Sequence, residues 1–115
     1  MKNCILIDVQ NETIENVLIG EDIQPIYDVL KCEMFECVHV DDINTIYVDE
    51  EGLLRLTPNT KFFSYEGGHQ PFSGNGLIMG TNQNTGESID TTLTLEEVRS
   101  KVKFHTMSEV QRMFV

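Results

Sequence analysis

Apolar residues recur mostly at every second position along this chain, in short runs broken by Gly, Pro, Asn and Asp. Cys4 to Val9 predicts a strand that is apolar on both faces, Gln10 to Glu12 supplies a turn, and the alternation from Thr13 to Ile19 predicts a second strand. The chain is therefore expected to open with a hairpin. Ile23, Ile26, Tyr27 and Leu30 stand at helical spacing, with Asp22 as the expected N-cap, Pro25 in the first turn and an end near Lys31. Phe35 to Val40 alternates again, and Thr45 to Asp49 is rich in β-branched residues. The Asp49–Gly52 turn then leads into Leu53 to Leu56, which predicts a meander of short antiparallel strands. Lys61 to Tyr65 predicts an aromatic strand. Glu66 to Gly76 holds too much Gly and Pro for regular structure, Leu77 to Thr81 resumes a strand, and Asn82 to Gly86 is a polar turn. Thr94 and Glu97 form a capping-box pattern ahead of a helix from Leu95 to about Val102. Lys101 to His105 predicts a last strand. Thr106 and Glu109 repeat the box, which predicts a helical turn or helix from Met107 to Phe114. The pattern sums to an α+β fold: a mainly antiparallel sheet with two or three short helices, in a single domain over residues 1–115.

Composition narrows the class. With 115 residues, 40% hydrophobic and 23% charged, the chain can bury one modest core. No run is long enough to cross a membrane, and the opening residues Met1 to Asp8 are too short and acidic for a secretory signal, so a cytoplasmic location is expected. Cys4, Cys32 and Cys37 are an odd count among apolar residues, as for reduced thiols. Cys37 and His39 share a strand face, but no second pair follows to complete a metal site, so neither metal nor cofactor is expected.

The formal charge of −11 argues against binding duplex DNA through the general surface, because phosphate contacts need Lys and Arg. An anionic ligand would require the few cations to be gathered in a pocket, against the overall field. The arginines are Arg55, Arg99 and Arg112. The same acidity supports an alternative, a protein-interaction inhibitor of a host defence enzyme that imitates DNA.

The segment from Tyr65 to Asn82 carries the candidate chemistry. Four glycines fall between Gly67 and Gly76, where they permit close backbone approach or an anion nest, or simply form a long connection. The spacing fits neither a Walker A loop nor a dinucleotide fingerprint. Phe72 is a core plug or a base-stacking platform, Asn82 a turn residue or an amide matched to an adenine edge, and Arg99 and Arg55 are partners for nearby Glu or for phosphate. Glu66, His69 and Ser73 can be assembled into a nucleophilic set, but nothing in their spacing fixes a base against a nucleophile. A binding protein without catalysis is expected.

Ile5–Asp8, Val48–Leu53 and above all Pro71–Thr81 resemble the motifs of a family of small proteins from phages and mobile elements, known as a domain of unknown function; the likeness covers about residues 1–104. The chain is further similar to the first-described class of Thoeris anti-defence proteins. That resemblance implies a sponge that sequesters cyclic ADP-ribose-type immune signals such as glycocyclic ADP-ribose. It implies stacking of the base on Phe72, fixing by Asn82, and phosphate contacts from Arg99 and, upstream, Arg55. Asn75, Gly76 and Thr81, in the most specific run, join the implied ligand-binding set. The class also implies homo-oligomers, dimers assembled into hexamers, some with a second site for a cyclic trinucleotide. Lys2 and Lys31 are the only basic residues before position 55, a sparse supply for such a second site.

Overall fold

The structure, a computed structural model, describes residues 1–20, 22–66 and 70–113, with the side chain of Met113 excepted. Gly67, Gly68 and His69 of the glycine-rich segment, and Phe114 of the expected terminal helix, lie outside the described residues, as does Val115.

The opening hairpin forms as expected. Strand β1 (Lys2–Asp8) pairs antiparallel with β2 (Thr13–Ile19), Asp8 opposite Thr13. The next element, α1 (Gln24–Leu30), places Pro25 in its first turn. Its N-cap is Ile23 rather than Asp22, with no side-chain cap; the fixed φ of proline organises this start without one. β3 (Phe35–His39) and β4 (Asn44–Asp49) form a second antiparallel hairpin.

The expected meander does not continue. Gly52–Leu54 is a short 3-10 turn, not part of a strand from Leu53 to Leu56. Gly52 approaches the backbone of Ser73 so closely that a Cβ there would stand 3.1 Å from the Ser73 carbonyl oxygen. That contact fixes the turn, and Leu53 and Leu54 are left 57% and 80% exposed.

The partner that β4 takes instead is β7 (Gly76–Thr81), which inserts between β1 and β4. The larger sheet therefore runs β2-β1-β7-β4-β3, with the two-residue β8 (Ser88–Ile89) beside β7. A second sheet runs β6-β5-β9, from β5 (Lys61–Tyr65), β6 (Phe72–Ser73) and β9 (Val102–Thr106). Part of the segment expected to be irregular thus forms β6, because Phe72 pairs with Phe63. All pairings are antiparallel. With α2 (Leu95–Lys101) and α3 (Met107–Met113), the fold is α+β, with nine strands and three α-helices among the described residues. Both capping boxes form. Glu97 N–H donates to Thr94 Oγ1 at 3.1 Å, and Glu109 N–H donates to Thr106 Oγ1 at 3.2 Å.

The larger sheet is buried on both faces, which explains the unbroken apolar character of β1 and β7. Ile5, Ile7, Ile46 and Ile78 face Phe63 and Tyr65 of the small sheet and Val98 of α2. Cys4, Leu77 and Met79 point the other way, onto Ile26 and Leu30 of α1. Tyr65 brings a flaw into the first layer: its buried hydroxyl finds no hydrogen-bond partner among the described residues. Tyr65→Phe removes a desolvated, unpaired group and is expected to stabilise the fold by about 1 kcal/mol. Urea unfolding of the variant and the parent chain checks this, as a rise in midpoint at constant slope.

Candidate functional site

Two cavities adjoin on either side of the contact between Gly52 and Ser73, and both are lined by Asp49, Gly52 and Ser73. The first, of about 370 Å³, is reached by Lys31, Arg55, Gly74 and Asn75. The second, of about 360 Å³, is reached by Phe72, Pro71, Val38, Glu36 and Glu50. Together they form a groove that is cationic at one end and aromatic and acidic at the other.

Local sequence explains the cationic end. Lys31 closes α1 in the left-handed conformation, φ 55°, with its N–H bonded to the Tyr27 carbonyl. Gly74, φ 86°, makes the opposing turn after β6 at no steric cost. Arg55 follows the 3-10 turn, and its Nη2 pairs with Asp49 Oδ2. Asp49 is nearly buried, with 11% of its side chain exposed against 49% for Arg55, so it anchors the guanidinium while other N–H donors of the fork stay accessible. Asn75 is a brace for this end of the groove. Its Oδ1 accepts from Val9 N–H at 3.0 Å and its Nδ2 donates to the Val29 carbonyl at 3.0 Å. One amide thereby ties the ends of β1 and α1 to the β6–β7 turn.

The aromatic end rests on packing beneath it. Phe72 is half-buried and lies 5.3 Å from Phe63, ring centre to ring centre, at 41°. Phe63 in turn occupies the space above Gly76, where a Cβ would meet Phe63 Cζ at 2.5 Å. Gly76 is thus required by packing and reaches the groove through two rings. Gly76→Ala is expected to displace Phe63 and cost about 1–3 kcal/mol, measured by urea unfolding.

The other sequence candidates lie elsewhere. Asn82 closes the turn after β7: its Oδ1 accepts from Asn84 N–H at 2.9 Å, and its own N–H donates to the Glu87 carbonyl at 2.8 Å. Thr81 is held by β8 and by a 2.8 Å bond from its N–H to the Ile43 carbonyl. Arg99 donates to the Ile14 carbonyl at 3.0 Å and lines a separate cavity with Glu12, Glu15 and Phe104. Within one chain, then, Phe72, Arg55 and Asn75 come together, while Asn82, Thr81 and Arg99 line neither half of the groove.

Sequence reasoning missed Lys31, Asp49, Glu50 and Glu36 as groove residues. Asp49, Glu50 and Glu36 stand at or beside strand ends and Lys31 at a helix end, so charge at the close or start of an element was the one signal they shared. It also missed a Ser–His pair, Ser64 Oγ to His105 Nε2 at 2.8 Å, made across β5 and β9. Neither residue lines the groove, whereas Ser73 of the set drawn from sequence does, and its His69 lies outside the described residues. All three cysteines are free, and burial pushes the Cys4 thiol up to about 11, which disfavours a reactive thiolate. Among the described residues no group of His, Cys, Asp and Glu is arranged to hold a metal ion, and no helix is long and apolar enough to cross a membrane.

The fold and the groove define a small α+β domain with an open, charge-divided cleft. Residues 1–104 match the family described as Domain of unknown function (DUF3846), and the chain belongs to that family. No curated protein and no solved structure matches it.

Proposed function

We propose that the protein is a non-enzymatic phage anti-defence sponge that binds and sequesters cyclic ADP-ribose-type immune signals, such as glycocyclic ADP-ribose, in the host cytoplasm. The observation that carries this reading is the meeting of Lys31 and Arg55 at one cavity, across the Gly52–Ser73 contact from the ring of Phe72. In a chain of formal charge −11, two cations beside one cleft form a local exception that suits phosphate, and the adjoining aromatic suits a base. Capture requires tight binding and no turnover, so a pre-formed cleft with cations and an aromatic face is sufficient.

Asn82 and Arg99 enter the proposal through assembly. In a dimer, a second copy can bring these residues to the groove, and the exposed Leu53 and Leu54 beside it supply apolar surface for such a contact. Light scattering of the purified protein tests the assembly: a dimer or hexamer is expected, and a monomer at micromolar concentration would remove Asn82 and Arg99 from the site.

The binding reading is tested by calorimetric titration with glycocyclic ADP-ribose. Saturable one-to-one binding per chain is expected. An absence of heat and of any change in unfolding midpoint would overturn the reading, and would favour the acidic protein-interaction inhibitor in its place.

A further inference from the structure

We infer that the Phe72 half of the groove reads hydrogen-bond donors and rejects anions, so that it takes a ribose bearing hydroxyls and excludes one bearing a phosphate. The inference rests on the proposed reading of the groove as a nucleotide site and adds a rule of selection to it.

The groove changes sign along its length. At the Arg55 end the cations Arg55 and Lys31 offer hydrogen-bond donors. Past Gly52 and Ser73, the charged groups beside Phe72 are Glu36, Asp49 and Glu50. Asp49 is engaged by Arg55. Glu36 and Glu50 are exposed and form no ion pair among the described residues, so their oxygens are open to a ligand. An ionised carboxylate only accepts hydrogen bonds. What it can favour over the ring of Phe72 is therefore a hydroxyl or amino group, as when an acidic residue holds a ribose 2′-hydroxyl in a dinucleotide site. A phosphate placed there would meet two like charges and no cation, since Lys31 and Arg55 line only the other cavity. Repulsion of the wrong ligand is as effective a source of selectivity as attraction of the right one.

The geometry also fixes orientation. The ligand's diphosphate goes toward Arg55, and its base and ribose toward Phe72, because the reverse placement puts the phosphates beside Glu36 and Glu50 and leaves Lys31 and the accessible N–H donors of Arg55 without an anionic acceptor from the ligand.

The test compares cyclic ADP-ribose with its 2′-phosphate by calorimetry at low salt. The 2′-phosphate is expected to bind at least about tenfold more weakly to the parent chain. In the double variant Glu36→Gln/Glu50→Gln the ratio is expected to fall toward one. Glu96→Gln, an exposed change on α2 away from the groove, is expected to keep the full ratio. Both glutamates of the double variant are exposed, so a folding defect is not expected, and circular dichroism confirms this before titration. Equal binding of the two nucleotides, or a ratio unchanged in the double variant, overturns the inference and leaves the groove as a nucleotide site. If neither probe binds, the inference falls; if glycocyclic ADP-ribose also fails to bind, the proposed function falls with it.

Discussion

Replacing Asn44 with alanine is expected to cost the fold about 3–5 kcal/mol, a large share of the stability of a domain this size. Asn44 is fully buried and its side-chain amide makes five hydrogen bonds. Its Oδ1 accepts from the Thr91 hydroxyl at 2.6 Å and from Thr92 N–H at 3.2 Å. Its Nδ2 donates to Thr92 Oγ1 at 2.8 Å and to both carboxylate oxygens of Asp41. One side chain therefore joins the β3–β4 turn to the segment that leads into α2. Alanine leaves the buried Thr91 hydroxyl without this acceptor, and a desolvated polar group without a partner costs about 1–3 kcal/mol by itself. Urea unfolding measures the loss. Thr91→Val, which removes the other end of the shortest bond, is expected to cost less, because Asn44 keeps its remaining partners. A loss below about 1 kcal/mol for Asn44→Ala would show that the network is not structural.

The second large effect concerns binding. Arg55→Ala is expected to weaken capture of glycocyclic ADP-ribose by about 10–100-fold, the loss of a charge-assisted contact to phosphate. The fold is expected to lose only about 1–2 kcal/mol, because the Arg55–Asp49 pair is half-exposed on the arginine side and the nearly buried Asp49 keeps its bond from Glu51 N–H. Phe72→Leu is the companion change. It keeps an apolar side chain against Phe63 but removes the stacking face, worth about 1–3 kcal/mol per base. Titration calorimetry, with unfolding midpoints recorded beside it, separates lost affinity from lost folding. Unchanged affinity in both variants would move the ligand away from this groove.

Much of the fold was legible in local pattern, for reasons that are themselves local. The alternation from Thr13 to Ile19 sets β2 because one strand face must be apolar. The two capping boxes place α2 and α3 because the bonds they make lie within three residues. What the sequence did not disclose was long-range. Nothing near Gly76–Thr81 indicates that it inserts between β1 and β4, since an apolar run buried on both faces is compatible with many neighbours. Leu53 and Leu54 suggested a strand, yet the approach of Gly52 to Ser73 turns that stretch into a 3-10 turn and leaves the leucines outside.

The groove follows the same division. Phe72 and Arg55 could be singled out by residue type, but they line adjoining cavities that meet at that same Gly52–Ser73 contact, between positions 21 residues apart in the chain. Asn75 and Gly76 are instructive in the opposite sense. Both stand in the run that carries the resemblance, and the structure uses the first to bond Val9 and Val29 and the second to seat Phe63. Lys31 was visible only as a rare cation at a helix end; it closes α1 in the left-handed conformation and lines the cavity.

The most direct test of the sponge proposal is recovery of the ligand. The purified protein is incubated with glycocyclic ADP-ribose, the free nucleotide is followed by chromatography, and the protein is then denatured by heat. Depletion in proportion to protein is expected, followed by return of chemically intact ligand. Return of an altered product would show an enzyme, and no depletion at micromolar protein would show that the groove does not hold this class of nucleotide.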